Sequence, residues 1–376
     1  MTAAVVAAER VVTADGVLAP GAVTVVDDRI TAVTAGVPAG TETRPGWLVP
    51  GFVDIHAHGG GGATVVGAGQ EAVATFARTH LHHGTTTLVA SLVSAHPDPL
   101  RRDVLALAEL ADDGIIAGTH LEGPWIAPTM RGAHDPTALR EPDPDEVAGL
   151  LSAGRGTVVM VTVAPELEHG PDTIRRVADA GALPAIGHTA ADQEQARLGM
   201  AAGAVVATHL FNQMPPIHHR VPGPIPSLLH DPRMHVELIV DGVHLSPTVV
   251  ALVRQAVPPG RIVLVTDAMA AAGAADGEYL LGDLAVDVAD GIARLAGSGA
   301  LAGSTLTMDA AVRRAVRECG FSVEEAVRAA ASTPARLLGR SDIGSLEPGR
   351  VADLVSLSED LVVSQVWQRG APVEVA

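Results

Sequence analysis

The chain is 376 residues long, enough for one large domain or two of ordinary size; 47% of it is hydrophobic but only 2% aromatic, so aliphatic side chains and alanine must fill the core. A formal net charge of −18 argues against nucleic acid and anionic membrane as partners, and the lack of any lysine excludes Schiff-base lysine chemistry and a metal pair bridged by a carboxylated lysine. A single cysteine, Cys319, excludes an intrachain disulfide framework, and Met1 to Arg10 carry no leader pattern, so a cytoplasmic protein without a membrane span is expected.

In chain order, Ala4–Ala7, Arg10–Thr13, Ala22–Asp27 and Ile30–Thr34 read as short strands separated by turn signals such as Asp15-Gly16. From Gly51 the pattern becomes strand, loop, helix. Eight buried strands are expected at Gly51–Ala57, Thr85–Ser91, Ile115–Leu121, Val158–Ala164, Ala182–Gly187, Val205–Leu210, Val236–Asp241 and Ile262–Thr266. Helical patterns between them include Gln70–His82, Pro99–Ala111, Asp143–Leu151, Pro171–Ala180, Asp192–Ala201 and Ser246–Ala256. Eight such units predict an α/β fold, a (β/α)8 TIM barrel. A doubly wound open sheet is the second reading, but no Gly-x-Gly-x-x-Gly opens the first unit. A hairpin follows at Asp283–Val288 and Ile292–Leu295, turning at Asp290-Gly291. Helices come next at Thr305–Cys319 and Val323–Ser332, and the tail returns to strands at Asp353–Leu357 and Val362–Arg369. The chain therefore begins and ends in β structure. A small β-sandwich domain from residues 1–50 and 345–376 is expected beside a catalytic barrel of residues 51–344.

Barrel enzymes place their chemistry at the C-terminal ends of the strands. Here the first strand ends in His56-Ala57-His58, whose two imidazoles share a face because strand side chains alternate. The third ends in His120-Leu121-Glu122, the fifth in Gly187-His188-Thr189, the sixth in Thr208-His209-Leu210. The seventh ends in Asp241-Gly242-Val243-His244 and the eighth in Thr266-Asp267. Ionisable groups are rarely buried without partners, so six polar strand ends point to one site. Imidazoles with carboxylates suit zinc, with iron, manganese, cobalt or cadmium as alternatives. The expected ligands are His56, His58, Glu122, His188 and His209, for one ion or for two bridged by Glu122. His120 is read either as sharing that face or as a packed histidine behind it. Asp267 is read either as acid–base for an attacking water or as a fifth ligand.

The segment Pro50-Gly51-Phe52-Val53-Asp54-Ile55-His56-Ala57-His58, the single histidines of strands five and six, and the strand-eight aspartate resemble the amidohydrolase superfamily. Within it, Leu121-Glu122-Gly123-Pro124-Trp125, Arg131-Gly132-Ala133-His134, Thr208-His209-Leu210-Phe211-Asn212-Gln213-Met214 and Leu301-Ala302-Gly303-Ser304 resemble the family of N-acetylglucosamine-6-phosphate deacetylases. That resemblance implies hydrolysis of the acetamide of a small phosphorylated amino sugar, in amino-sugar breakdown and cell-wall recycling. The galactosamine epimer is the alternative substrate. It implies Asp267 as the catalytic acid–base and substrate contacts at Ala133, His134, Asn212, Gln213, Arg220, Asp241, His244, Leu301, Ala302 and Gly303. It also implies a homodimer in which Arg220 reaches the partner's site. Two features depart from the family pattern. Histidines stand at His56 and His58, where some members have neither, and Gln213 replaces the usual alanine. A cyclic-amide hydrolase is disfavoured by the missing lysine, and a purine deaminase by Glu122. A non-catalytic relative should have lost ligands that are all present here.

Overall fold

A computed structural model describes residues 3–374. Eight parallel strands form one sheet in sequential order: Phe52–Ala57, Thr85–Leu92, Gly118–Glu122, Val158–Val163, Leu183–Ile186, Val206–Ala207, His235–Ile239 and Ile262–Val265. The sheet closes through a parallel bridge between Ala57 and Ala268, where His56 O accepts from Asp267 N at 2.8 Å and Ala268 O accepts from His58 N at 2.7 Å. The expected (β/α)8 barrel is therefore present, and its closure sets strand-one and strand-eight residues side by side.

Every residue of Phe52–Ala57 is buried, because one face of a barrel strand meets the lumen and the other the helices. Polar side chains occupy the upper lumen. His56, His120, Thr162, Thr208, Glu237 and Thr266 are all buried, in a region that branched aliphatics usually fill. They hydrogen-bond to one another, as buried polar groups must. His120 Nδ1 meets Ser91 Oγ at 3.0 Å and His120 Nε2 meets Thr162 Oγ1 at 2.9 Å, while Thr162 Oγ1 meets Thr208 Oγ1 at 2.9 Å.

Three helices start one residue after their sequence signals because the signalled residues are N-caps. Asp143, Asp192 and Ser246 accept backbone N–H bonds from the first turns of Pro144–Ala153, Gln193–Ala201 and Pro247–Ala256. The second helix starts earlier than expected, at Pro97, since Pro97 and Pro99 fit a first turn that needs no N–H donors. A short helix at Ile225–His230 was not expected. The expected Val323–Ser332 helix is α-helical only to Val327. It continues as a π turn over Arg328–Ser332 and returns to α at Thr333–Leu337. Its small residues Ala329, Ala330 and Ala331 are wholly buried, the first two in the barrel core. The sixth strand keeps ladder pairing only at Val206–Ala207, leaving Thr208–Leu210 as an irregular exit.

Both chain ends join one mixed sheet, in the order Ala371–Val373, Val363–Gln368, Leu354–Leu357, Thr43–Pro50, Ala3–Thr13, Gly21–Val26 and Arg29–Ala35. The sandwich is this one sheet folded over a core that includes Val11, Val23, Leu48, Leu354 and Trp367. Its far ends meet where Ala352 N donates to Asp28 O at 2.8 Å and Arg369 pairs with Asp28 at 2.9 Å. Met1, Thr2, Val375 and Ala376, which fall within the expected β domain, lie outside the described residues. The expected hairpin has a third strand: Gly277–Leu281, Leu284–Ala289 and Ile292–Leu295 form an antiparallel insertion after the eighth barrel strand. No helix among the described residues is long and apolar enough to cross a membrane.

Candidate active site

The strand ends deliver their imidazoles and carboxylates to one buried cluster. His188 Nε2 and His209 Nε2 lie 3.0 and 2.9 Å from Glu122 Oε1, and 3.0 Å from each other. On the other side, His58 Nε2 lies 3.2 Å from Glu122 Oε2, Asp267 Oδ1 and His56 Nε2. His56 Nε2 completes that group at 3.6 Å from Glu122 Oε1 and 3.5 Å from Asp267 Oδ1. A tetrahedral ion with ligands at about 2.0–2.1 Å holds its donor atoms ~3.3 Å apart. Both groups of atoms fit that spacing to within a few tenths of an ångström, and Glu122 belongs to both, its Oε1 nearest His188, His209 and His56 and its Oε2 nearest His58. The donor set therefore suits one divalent ion at Glu122, His188 and His209, whose atoms lie within 3.0 Å of one another, and a second at His56, His58, Glu122 and Asp267.

Neighbours fix the tautomers. His58 Nδ1–H donates to Ser91 O at 2.9 Å and His188 Nδ1–H to Met130 O at 2.8 Å, which leaves each Nε2 lone pair facing the cluster. His134 is held the opposite way. Its Nδ1 accepts Ser94 N–H at 3.1 Å, so Nε2 carries the proton and points it at Glu122 Oε2, 3.4 Å away. His134 is thus a hydrogen-bond donor at the site rather than a ligand. His120 has both nitrogens bonded to hydroxyls within the lumen, which settles it as a packed histidine behind the cluster.

The electrostatics show how strongly this site draws positive charge. Burial pushes the His58 imidazole down, but Asp267 and Glu122 more than offset this and bring its pKa up to about 9. Burial raises Asp267, yet His56 and His58 bring it down to about 2. Burial likewise opposes ionisation of Glu122, but His56 and the close imidazoles of His134, His188 and His209 hold its carboxyl well below the usual range. Burial pushes His134 down to about 4, so it stays neutral.

Backbone strain is concentrated here. Among the described residues, five of the ten non-glycine residues with positive φ are His188 (48°), His209 (25°), Phe211 (79°), Gln213 (52°) and Asp267 (49°). Left-handed backbone at the strand exits redirects these side chains toward the barrel mouth and persists only where the surroundings enforce it. At 303 only glycine fits: φ is 61°, and a Cβ would stand 2.9 Å from Asp267 O.

One cavity opens over the cluster. His58, Glu122, His188, His209 and Asp267 line it, together with the sequence-predicted Ala133, His134, Asn212, Gln213, His244, Leu301 and Gly303. Gln213 acts twice: its carbonyl accepts from Thr189 N at 3.0 Å, and its side chain lines the cavity beside Gly132. Three expected contact residues do not line the cavity. Asp241 stands behind His244 and accepts its Nδ1–H at 2.6 Å. Ala302 is buried, with its N–H bonded to Ala293 O at 3.1 Å in the insertion. Arg220 lies on an exposed loop, its guanidinium 2.6 Å from His219 Nε2. Val93, Gly132 and Leu281 line the cavity without having been expected. Leu281 comes from the insertion, whose packing no local pattern reveals. Glu237, fully buried and 3.1 Å from His56 Nδ1, was also missed. Its signal was a carboxylate between Val236 and Leu238 in a strand read as wholly buried.

Comparison with known proteins agrees with this geometry. The amidohydrolase family profile matches residues 47–373. The chain is 35% identical over 371 residues to the N-acetylgalactosamine-6-phosphate deacetylase of Escherichia coli O157:H7, covering 97% of this chain and 98% of that one. It is 38% identical over 339 residues to the N-acetylglucosamine-6-phosphate deacetylase of Bos taurus, covering 86% and 82%. Among solved structures, a mutant of the Mycobacterium smegmatis N-acetyl-D-glucosamine-6-phosphate deacetylase, in complex with N-acetyl-D-glucosamine-6-phosphate, superposes with a TM-score of 0.96. That protein is 45% identical, and the match covers 99% of both chains. With the Glu122-centred cluster at the mouth of a closed barrel, these matches establish that the chain belongs to the amidohydrolase family.

Proposed function

We propose that the protein hydrolyses the acetamide of N-acetyl-D-glucosamine 6-phosphate to D-glucosamine 6-phosphate and acetate. The observation that carries this reading is the Glu122-centred ligand cluster under a cavity lined by His134, Asn212, His244, Leu301 and Gly303, in a chain 45% identical to a deacetylase solved with that sugar phosphate. A divalent ion held by this cluster, most simply zinc, would polarise the acetamide carbonyl and make water acidic enough to attack near neutral pH. The chain's own groups do the rest. Asp267 takes the proton of the attacking water and returns it to the leaving amine nitrogen. The His134 Nε2–H donates a hydrogen bond into the site, and the Asp241 carboxylate fixes the orientation of His244. His56 and His58 favour two ions over one.

The remaining parts of the reading concern the setting. The predicted division, residues 1–50 with 345–376 against 51–344, is supported by the sheet that both termini share. A cytoplasmic site of action fits the single buried Cys319. A homodimer is supported by the loop that carries Arg220, which also leaves the apolar Ile217 and Val221 exposed.

Acetate release from a panel of N-acetylated sugars, with and without the 6-phosphate and in both epimers, tests the function. The expected ranking places N-acetylglucosamine 6-phosphate first, the galacto epimer below it and the unphosphorylated sugars far below. Equal turnover with and without phosphate would overturn the substrate assignment.

A further inference from the structure

Glu237 lies in the seventh barrel strand, His235–Ile239, between Val236 and Leu238, and is wholly buried with its side chain in the lumen. Its Oε2 accepts two hydrogen bonds, from His56 Nδ1–H at 3.1 Å and from His209 N–H at 3.1 Å. Its backbone carbonyl accepts a third, from Leu210 N–H at 2.9 Å. Oε1 has no hydrogen-bond partner. A desolvated carboxylate with a free oxygen is costly to keep in a fold unless something specific needs its charge.

The two residues it holds belong to different halves of the cluster. His209 stands with His188 around Glu122 Oε1, and His56 stands with His58 and Asp267. By accepting from Nδ1, Glu237 puts the His56 proton there and turns an unprotonated Nε2 toward Asp267 and Glu122. By bonding to His209 N and Leu210 N, it secures the irregular exit of strand six, where His209 has φ 25°. We propose that Glu237 is a positioning residue for the metal cluster. It fixes the tautomer and basicity of His56 so that this imidazole can hold a second ion, and it ties that position to the His209 side. A carboxylate bonded to the far nitrogen of a ligating imidazole commonly changes metal affinity by about 10–100-fold. The inference rests on the two-ion reading of the site.

The test compares wild type with Glu237→Gln and Glu237→Ala, each expressed in Co(II) medium and dialysed against graded chelator. Ions retained per chain and the Co(II) absorption spectrum are recorded. Glu237→Gln keeps the volume and an acceptor oxygen but removes the charge. It should weaken retention of one ion by about 10-fold while the other, at Glu122, His188 and His209, stays. Glu237→Ala should weaken the same ion by about 100-fold, and both should change the Co(II) spectrum. The double variant His56→Ala/His58→Ala marks which ion is lost. Two ions held as tightly as in wild type by Glu237→Gln, with an unchanged spectrum, would overturn the role while leaving the two-ion site intact. Weakened retention of the His188/His209 ion alone would reduce Glu237 to a support of strand six and overturn it too. A wild type that binds a single ion would overturn both this role and the two-ion reading.

Discussion

Asp267 has together what its neighbours have only in part: a carboxylate 3.2 Å from His58 Nε2, a place in the cavity wall and a strained backbone at φ 49°. A residue there can serve as ligand and proton carrier in turn. Asp267→Asn keeps its shape and an oxygen donor while removing the proton acceptor. Turnover is therefore expected to fall roughly 10²–10⁴-fold with metal content preserved. Near-wild-type kcat at full metal occupancy would return Asp267 to a ligand role alone. At this scale the sequence was informative where chemistry is set by residue type and strand position, as for His56, His58, Glu122, His188, His209 and Asp267. It was silent where a role depends on partners from other strands. His120 and His134 look alike as lone histidines. Only the hydroxyls of Ser91 and Thr162, and the Ser94 N–H, make one a packed lumen residue and the other a donor at the site.

Among the elements, the insertion after the eighth strand differs most from its sequence reading. Two strands were legible from alternation and the Asp290-Gly291 turn. The third, Gly277–Leu281, is mostly exposed and carries no buried face to betray it until Leu281. The sheet packs Leu281, Val286, Val288 and Ala293 against Val93, Ala133, Met269 and Ala302, so it braces the cavity wall from outside the barrel. Leu281 is 4% exposed and reaches the cavity itself. Leu281→Ala should remove contact worth about 1–2 kcal/mol to substrate, raising KM about 5–30-fold, with kcat and metal content little changed. Unchanged KM in a folded, metal-replete variant would show that the insertion does not touch the substrate. The barrel strands were readable because burial on both faces gives continuous aliphatic runs. Their ends were not, because the left-handed His209, which breaks strand six at Thr208–Leu210, obeys the site rather than local propensity.

For the whole molecule, the question is how a chain of net charge −18 holds a phosphate dianion. Long-range repulsion must be reversed by a local cation, since screening in physiological salt acts over about 8 Å. Among the described residues lining the cavity there is no arginine, and the chain has no lysine. The histidines there are committed: His58, His188 and His209 face the ligand cluster, and His134 is neutral. Only His244, whose pKa the Asp241 carboxylate raises against the effect of burial, stands apart from them. Arg220 has what the cavity lacks, a guanidinium able to form two parallel charge-assisted bonds to phosphate, but its own subunit leaves it exposed beside Ile217 and Val221. A second copy of the chain that covers this loop would bury the apolar residues and bring the guanidinium to the partner's cavity. Arg220→Ala should then lower kcat/KM for the 6-phosphate substrate by about one to three powers of ten and scarcely affect the slow turnover of the unphosphorylated sugar. Mixing Arg220→Ala with Asp267→Asn subunits should restore part of the activity, because each mixed dimer then has one site with both residues intact. Equal losses on both substrates would remove Arg220 from phosphate binding. No recovery after verified subunit exchange would leave the phosphate contact but place it within one subunit, which requires the loop carrying Arg220 to fold inward from its exposed position.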